Sequence, residues 1–512
     1  MVDNLALANP LGRILDKDRN DFTRGDILRL VAQLGIERFT FHYTGVDGQL
    51  KELKLPFGSL ARAERVLAAG ERVDGSSLFK GLVDTANSDL YVVPSYRTAF
   101  VSPFDARSMN FVCRFLGRDG APASFTPDNV LAIAHERFKK HTGLELHALG
   151  ELEFFIVSER ESDSYTPPRQ TGYHAAAPFF KSGDVVNEMV RHIVQITGAV
   201  KYAHAEVGFI ESLRSDRAML AGRQAEQHEI EFLTKPIEEM GDDLVLARWV
   251  IRNVAFRHKM LATFAPKIEE GVAGSGLHVH MELVKDGRNV MTDGSGKLSG
   301  EAFKLIGGLA HYASTLSAFG NTVASAFLRL VPNQEAPTRI CWSDANRSAL
   351  IRVPLGWSTT SDLARVVNPA EPERYTDDRG VQTVEIRSPD GSALVHLLLA
   401  GITTAAEHGL TAPGMKELAE RTRITGNIFT DPGLLTKLEA LPGSCVAAAR
   451  LLGERRAMYE EHGVFPREAI DYVIKLLLKE DDEFLNQNLS LMPAEERLTA
   501  TRKVMHKDLD RH

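Results

Sequence analysis

The chain has 512 residues, 44% of them hydrophobic and 25% charged, with a net charge of −8. That balance suits a globular protein of more than one domain and excludes a strongly basic nucleic-acid binder. Cys113, Cys341 and Cys445 are too few and too scattered for a disulfide framework or a thiolate metal site, and they predict a reducing compartment. No apolar run is long enough to span a bilayer. The opening stretch MVDNLALANPLGRILDKDRND has no basic start before an apolar run. A cytoplasmic protein without a secretory signal is therefore expected.

In chain order, residues 25–36 predict a short helix. RFTFHYTGVDGQLKELKLP alternates apolar and polar residues around Asp47-Gly48, the pattern of a β-hairpin. DLYVVPS and NFVCRFL read as further strands. FTPDNVLAIAHERFKKHTG predicts a helix with Thr126 as N-cap, Pro127 in the first turn and Gly143 at the end. The fold class is α+β. A small β-rich unit over residues 1–122 is expected to precede a larger unit over 123–512. Residues 299–319 and stretches after 443 have helical periodicity, and SERESDSYTPPRQTG reads as a loop.

Four strand-like segments share an unusual feature. GELEFF carries Glu151 and Glu153, QHEIEF carries Glu229 and Glu231, GLHVHMEL carries His278 and His280, and TVEIRSP carries Glu385 and Arg387. Side chains at i and i+2 share one face of a strand. An ordinary water-facing sheet surface explains any one of these, but four faces built from carboxylate and imidazole point elsewhere. Carboxylates gathered in a half-buried place repel and resist desolvation. A divalent cation relieves both, and oxygen donors with one imidazole suit Mg²⁺ or Mn²⁺. RLVPNQEAPTRICWSDANRSALIRVP adds Arg329, Arg347 and Arg352 around Glu335. Guanidinium groups fork onto phosphate or carboxylate oxygens, so metals with arginines suggest phosphoryl transfer, without any P-loop.

These motifs resemble the glutamine synthetase family, in its type I form. DGSS (74–77), NSDLYVVP (87–94), GELEFF (150–155), EQHEIEF (226–232), GSGLHVHMEL (274–283), RLVPNQEAP (329–337), NRSALIRVP (346–354) and VEIRSPD (384–390) follow the family's order over most of the chain. The resemblance implies an N-terminal β-grasp domain and a catalytic domain built on a curved antiparallel sheet flanked by helices. It implies a dodecamer of two hexameric rings, with each active site shared between neighbouring subunits. It also implies an ATP-dependent ligase that makes glutamine from glutamate and ammonia through γ-glutamyl phosphate.

Residue by residue, the resemblance implies a first metal on Glu153, Glu229 and Glu206. The insertion IESLRSDRAMLAGRQ leaves Glu211 or Glu226 open as the third ligand. The second metal falls on Glu151, His278 and Glu385. Gly276, Arg329 and Arg387, with Ser77, match the substrate-binding positions. Arg347 and Arg352 match those facing the transferred phosphate. Glu335 matches the carboxylate that closes the site and takes a proton from ammonium, and Asp74 the ammonium-site carboxylate lent by a neighbouring subunit.

The chain also departs from the family pattern. Ser325-Ala326-Phe327-Leu328 replaces Asn-Ser-Tyr-Lys. Glu282 stands where a serine is usual and should repel ATP unless a partner compensates. Phe79 lies near a common tryptophan, and Phe429 replaces a modifiable tyrosine. A ligase joining glutamate to an organic amine, such as a polyamine or ethanolamine, would keep the same metal and phosphate residues. A relative that kept only the fold should have lost the metal carboxylates, which are present here.

Overall fold

The computed structural model describes residues 5–511 apart from 84–87, 161–163, 332–335, 357–361, 376–379, 427, 429–431 and 462. Glu335 and Phe429 lie outside the described residues.

The N-terminal sheet has six strands: β1 (Arg38–Thr44), β2 (Leu50–Pro56), β3 (Glu71–Asp74), β4 (Asp89–Pro94), β5 (Phe100–Ser102) and β6 (Asp105–Leu116). Their order is β2-β1-β6-β4-β3, with β5 on β6. β1 and β2 form the expected hairpin, and Gly48 supplies its positive φ of 74°. The helix Arg24–Leu34 starts on a capping box between Thr23 and Asp26. It buries Ile27 and Leu30 in a core with Phe39, Phe41, Phe111 and Phe115. Phe79 belongs to this core too. It is fully buried and meets Phe115 and Phe125 edge-on, which makes it a packing residue of the N-terminal core.

The second sheet has ten strands: β7 (Glu145–Ser158), β8 (Val200–Ile210), β9 (Gln224–Phe232), β10 (Lys235–Pro236), β11 (Leu261–Thr263), β12 (Leu277–Lys285), β13 (Arg288–Asn289), β14 (Trp342–Asp344), β15 (Ile351–Val353) and β16 (Val384–Ile386). The order is β14-β15-β16-β12-β7-β9-β8, antiparallel except between β14 and β15. Strand β7 shows the two-residue period at work. Leu146, Ala148, Leu152, Phe154 and Ile156 point into one large core. They meet the helices Pro127–Thr142, Ile237–Arg257, Gly300–Gly320 and Val395–Thr411 there. Glu145, His147, Leu149, Glu151 and Glu153 line a cavity on the other face. Gly150 allows the tight helix approach, since a Cβ there would sit 2.8 Å from Leu244 Cδ2.

Thr126 occupies the N-cap of the helix Pro127–Thr142, but its hydroxyl donates to the Ala123 carbonyl and does not cap. The three cysteines are free and buried. Among the described residues, no helix is long and apolar enough to cross a membrane.

The two sheets are clasped by a charged contact. Arg114 on β6 forms a fork onto Asp242 of the helix Ile237–Arg257, with bonds of 3.2 and 2.6 Å. His396 of the helix Val395–Thr411 reaches the same carboxylate at 3.3 Å.

Candidate active site

The cavity over the second sheet encloses about 1340 Å³. Strands β7, β9 and β12 form its floor with the i, i+2 faces read from the sequence. The register sets them side by side: Glu151 opposite Glu231, Glu153 opposite Glu229, and His278 opposite Glu151. Strand β16 pairs with β12 so that Glu385 meets His280.

Three overlapping groups result, each with potential ligand atoms within 4.8 Å of one another: Glu151, His278 and Glu385; His204, Glu206 and Glu229; Glu151, Glu229 and Glu231. Near the first, His278 Nδ1 lies 2.7 Å from Glu151 Oε2 and His280 Nε2 lies 2.8 Å from Glu151 Oε1. Burial alone would raise the Glu151 pKa, but His280 and His278 hold it well below the usual range. Glu229 has less compensation. Burial pushes it up to about 8 against the bond from His204, and the nearby carboxylates Glu151, Glu153 and Glu206 push the same way. Burial raises Glu153 as well. Glu231 Oε2 is buried without a hydrogen-bond partner among the described residues. Crowded, partly uncompensated carboxylates with a few imidazoles are the donor set that divalent ions take. The residues therefore fit two metal ions.

Arginines surround this floor. Glu385 is fully buried between Arg352, which donates at 2.8 Å, and Arg387, which donates at 2.7 Å. Burial would raise its pKa, but Arg387 and then His280 hold it below the usual carboxylate value. Arg329 donates to the Ser388 and Arg387 carbonyls at 3.0 and 3.3 Å, and Nη2 stands 3.4 Å from His278 Nε2. Arg347 lies at the exposed edge of the cavity, over the Tyr173 ring at 5.6 Å. The Nε atoms of Arg352 and Arg387 are buried without partners among the described residues. A cavity with this composition can hold anions next to bound cations.

Residues 125–493 match the family model for the glutamine synthetase catalytic domain, and residues 35–117 match that for the glutamine synthetase beta-Grasp domain. The chain belongs to the glutamine synthetase family. It is thereby a ligase of that family. The glutamine synthetase of Thermus thermophilus is 30% identical over 400 residues, covering 76% of this chain and 80% of that one. The glutamine synthetase of Aquifex aeolicus is 26% identical over 491 residues, covering 90% and 96%. The cryo-EM structure of Plasmodium falciparum glutamine synthetase shares the fold with a TM-score of 0.71 at 20% identity, over 93% of this chain and 98% of that one. Ligand-free GmaS does so with a TM-score of 0.69 at 20% identity, over 92% and 98%.

Against the glutamine synthetase expectations, Glu151, Glu153, Glu206, Glu229 and His278 all line the cavity, together with Arg329, Arg347, Arg352 and Arg387. Glu206 gets there although β8 and β9 shift register between Ala205 and Phe209. The insertion folds away onto the C-terminal segment, where Leu213 and Leu220 pack with Leu509 and Ser215 bonds His506 at 3.0 Å. The two alternatives for the third ligand are elsewhere. Glu211 is exposed and pairs with Arg160. Glu226 faces away from the cavity and accepts from the backbone of Lys181 and Ser182 at 2.8 and 3.0 Å, at the start of the helix Gly183–Thr197.

Asp74 and Ser77 are outside this cavity. Asp74 caps the short helix Gly75–Leu78, accepting from Ser76 at 2.9 Å and from Ser77 at 2.6 Å. Glu282 does line the cavity, but it is not left bare. Asn289 donates to it at 2.6 Å and His147 lies 3.7 Å away.

Sequence reasoning passed over His204 and Tyr173. His204-Ala205-Glu206 is a fifth copy of the i, i+2 pattern, and that signal was available. Tyr173 belongs to no strand, and nothing in its local sequence marks it.

Proposed function

We propose that this chain joins ammonia to the γ-carboxyl group of glutamate with ATP as co-substrate, forming glutamine through γ-glutamyl phosphate. The observation that carries the reading is the cavity floor of Glu151, Glu153, Glu206, Glu229 and His278, with the buried Glu385 grouped with Glu151 and His278 and arginines around them, in a chain of this family. Those six residues would hold two ions, Mg²⁺ or Mn²⁺. Bound there, the ions would supply charge neutralisation and alignment for in-line phosphoryl transfer.

The chain's own groups do the rest. Arg329 and Arg387, with the backbone at Gly276, hold the glutamate carboxylate, and Arg347 and Arg352 face the phosphoryl oxygens. Making an acyl phosphate turns a poor electrophile into one that ammonia can attack. Glu335 accepts a proton from ammonium and covers the site against water. Asp74 and Ser77 belong to the ammonium side, supplied by a neighbouring copy in an assembly of two hexameric rings. Their position outside their own chain's cavity suits that arrangement.

A second reading replaces ammonia with an organic amine. The rings of Tyr173, Tyr202 and His204 lie beside Glu206 and Glu229 in the cavity wall, a surface that can stabilise an alkylammonium. ATP turnover with glutamate, measured with ammonium and then with methylamine, ethanolamine and putrescine, separates the two. Turnover with an amine but not with ammonium would sink the first reading.

A further inference from the structure

The reading above gives the first metal three glutamates, yet His204 stands among them. It lies on β8 two residues before Glu206, and its Nε2 is 3.1 Å from Glu229 Oε1. Its other nitrogen, Nδ1, is 3.0 Å from the Ala205 carbonyl oxygen. A carbonyl oxygen only accepts, so Nδ1 carries a proton, and Nε2 faces Glu229 Oε1 across a gap that a shared proton or a metal ion can fill. Two lone pairs at that distance repel unless a proton or a cation lies between them. The ring cannot easily turn away, because His174 lies against it at 4.3 Å, tilted by 38°, and Tyr173 meets it edge-on at 5.3 Å. An imidazole held by a backbone carbonyl on its far nitrogen is the arrangement that metal-bound histidines adopt.

We propose that His204 is a direct imidazole ligand of the metal ion held by Glu206 and Glu229. The proposal rests on the metal reading given above and adds to it. One nitrogen donor among carboxylates favours Mn²⁺-like ions over Mg²⁺, which prefers oxygen. His174 and Tyr173 then act as positioning residues that fix the plane of the ring.

The test uses the full-length protein, labelled with ¹⁵N-histidine, and Mn²⁺ alone. Pulsed EPR reads coupling between Mn²⁺ and ligand nitrogen. A His278→Gln background removes the nitrogen of the second group. In that background coupling should persist. Adding His204→Gln should remove it and weaken Mn²⁺ binding about tenfold or more, with Mg²⁺ affected less. Coupling unchanged by His204→Gln, or already absent in His278→Gln protein that still binds Mn²⁺, overturns the proposal. If the variants unfold, anomalous maps of Mn²⁺-soaked unaltered protein decide instead. A peak bonded to His204 Nε2 supports the assignment, and a peak on Glu206 and Glu229 with the imidazole uncoordinated overturns it. An unaltered protein that binds no Mn²⁺ overturns both this proposal and the metal reading beneath it.

Discussion

Gly276 donates its backbone N–H to Glu153 Oε2 at 2.8 Å, and its carbonyl accepts the Glu153 backbone N–H at 3.2 Å. The residue therefore fixes a proposed metal ligand from both sides. It also has no room for a side chain. A Cβ at this position would lie 2.7 Å from Arg329 Nη2 and 2.8 Å from His278 Nε2. Gly276→Ala should displace Arg329, proposed to bind glutamate, and His278, proposed to bind metal, together while the core stays packed. Misplacement of about an ångström at a reacting site costs roughly a hundredfold in rate. We expect a loss of that order in kcat/KM for glutamate, with Tm changed by a few degrees at most. Near-normal kinetics in Gly276→Ala would remove Gly276 from the site.

Arg114 and Asp242 join the two sheets, and their pH dependence has a definite sign. Burial would raise the Asp242 pKa, but Arg114 and then His396 hold it well below the usual carboxylate range. A depressed folded-state pKa contributes stability above the unfolded value of about 3.9, and that contribution is lost as pH falls through the folded value. Asp242→Asn should therefore destabilise at pH 7, by about 3 kcal/mol, because the half-buried Arg114 guanidinium loses its forked partner and keeps only Asp128, 3.8 Å from its Nε. The gap to the unaltered protein should begin to narrow below about pH 5. Urea midpoints from pH 7 down to about pH 2.5, well below the unfolded value, measure it. A gap that stays constant, or widens toward acid, would contradict the assignment.

The polar floor was legible because a strand's two-residue period is local. Glu151 with Glu153, Glu229 with Glu231 and His278 with His280 needed no partner strand to be placed on common faces. The same rule disqualifies Glu226, which is three residues from Glu229 and so turns to the other face, where it accepts from the backbone of Lys181 and Ser182. What the sequence could not supply is register. Glu206 lies where the β8–β9 pairing shifts register, and the insertion that made its role ambiguous is anchored by Leu509 from the far end of the chain. The burial of Phe79 was hidden for a related reason: its neighbours Phe115 and Phe125 are distant in sequence, so local context gave no sign that it was core.

Metal binding should release protons. In the metal-free protein His204 and Glu229 share a buried bond. Burial would lower His204, but Glu229 and the Ala205 carbonyl outweigh it and push it up to about 9, while burial pushes Glu229 up to about 8. Because Glu229 is what holds the His204 proton, the bond keeps a shared proton at neutral pH, whereas a metal takes the deprotonated ligands. Mn²⁺ titrations by calorimetry at pH 7, in buffers of different ionisation enthalpy, should report about one or two protons released per ion at this group. Apparent affinity should rise between pH 6 and pH 9 and then level off. Glu229→Gln should abolish most of this dependence. Affinity that is flat across that window would show that the pair is already deprotonated.

Glu282 and Asn289 yield the last expectation. An acid at this position in the cavity wall ought to repel nucleotide phosphates, yet Asn289 donates to it at 2.6 Å and also to the Gln382 carbonyl at 2.8 Å, while His147 lies on its other side. The carboxylate is therefore turned toward its own neighbours. On the proposal that ATP enters the cavity, Glu282→Gln should change the KM for ATP by no more than about twofold, since the carboxylate is already tied to Asn289. Asn289→Ala should matter more. A hydrogen bond to a charged group contributes roughly 1.5–3 kcal/mol, so freeing Glu282 should raise the KM for ATP about tenfold with a smaller effect on kcat. Combining Asn289→Ala with Glu282→Ser should recover most of the loss, because the unpaired charge is then gone. If the double variant is as impaired as Asn289→Ala alone, Asn289 acts through the β13 backbone and not through Glu282.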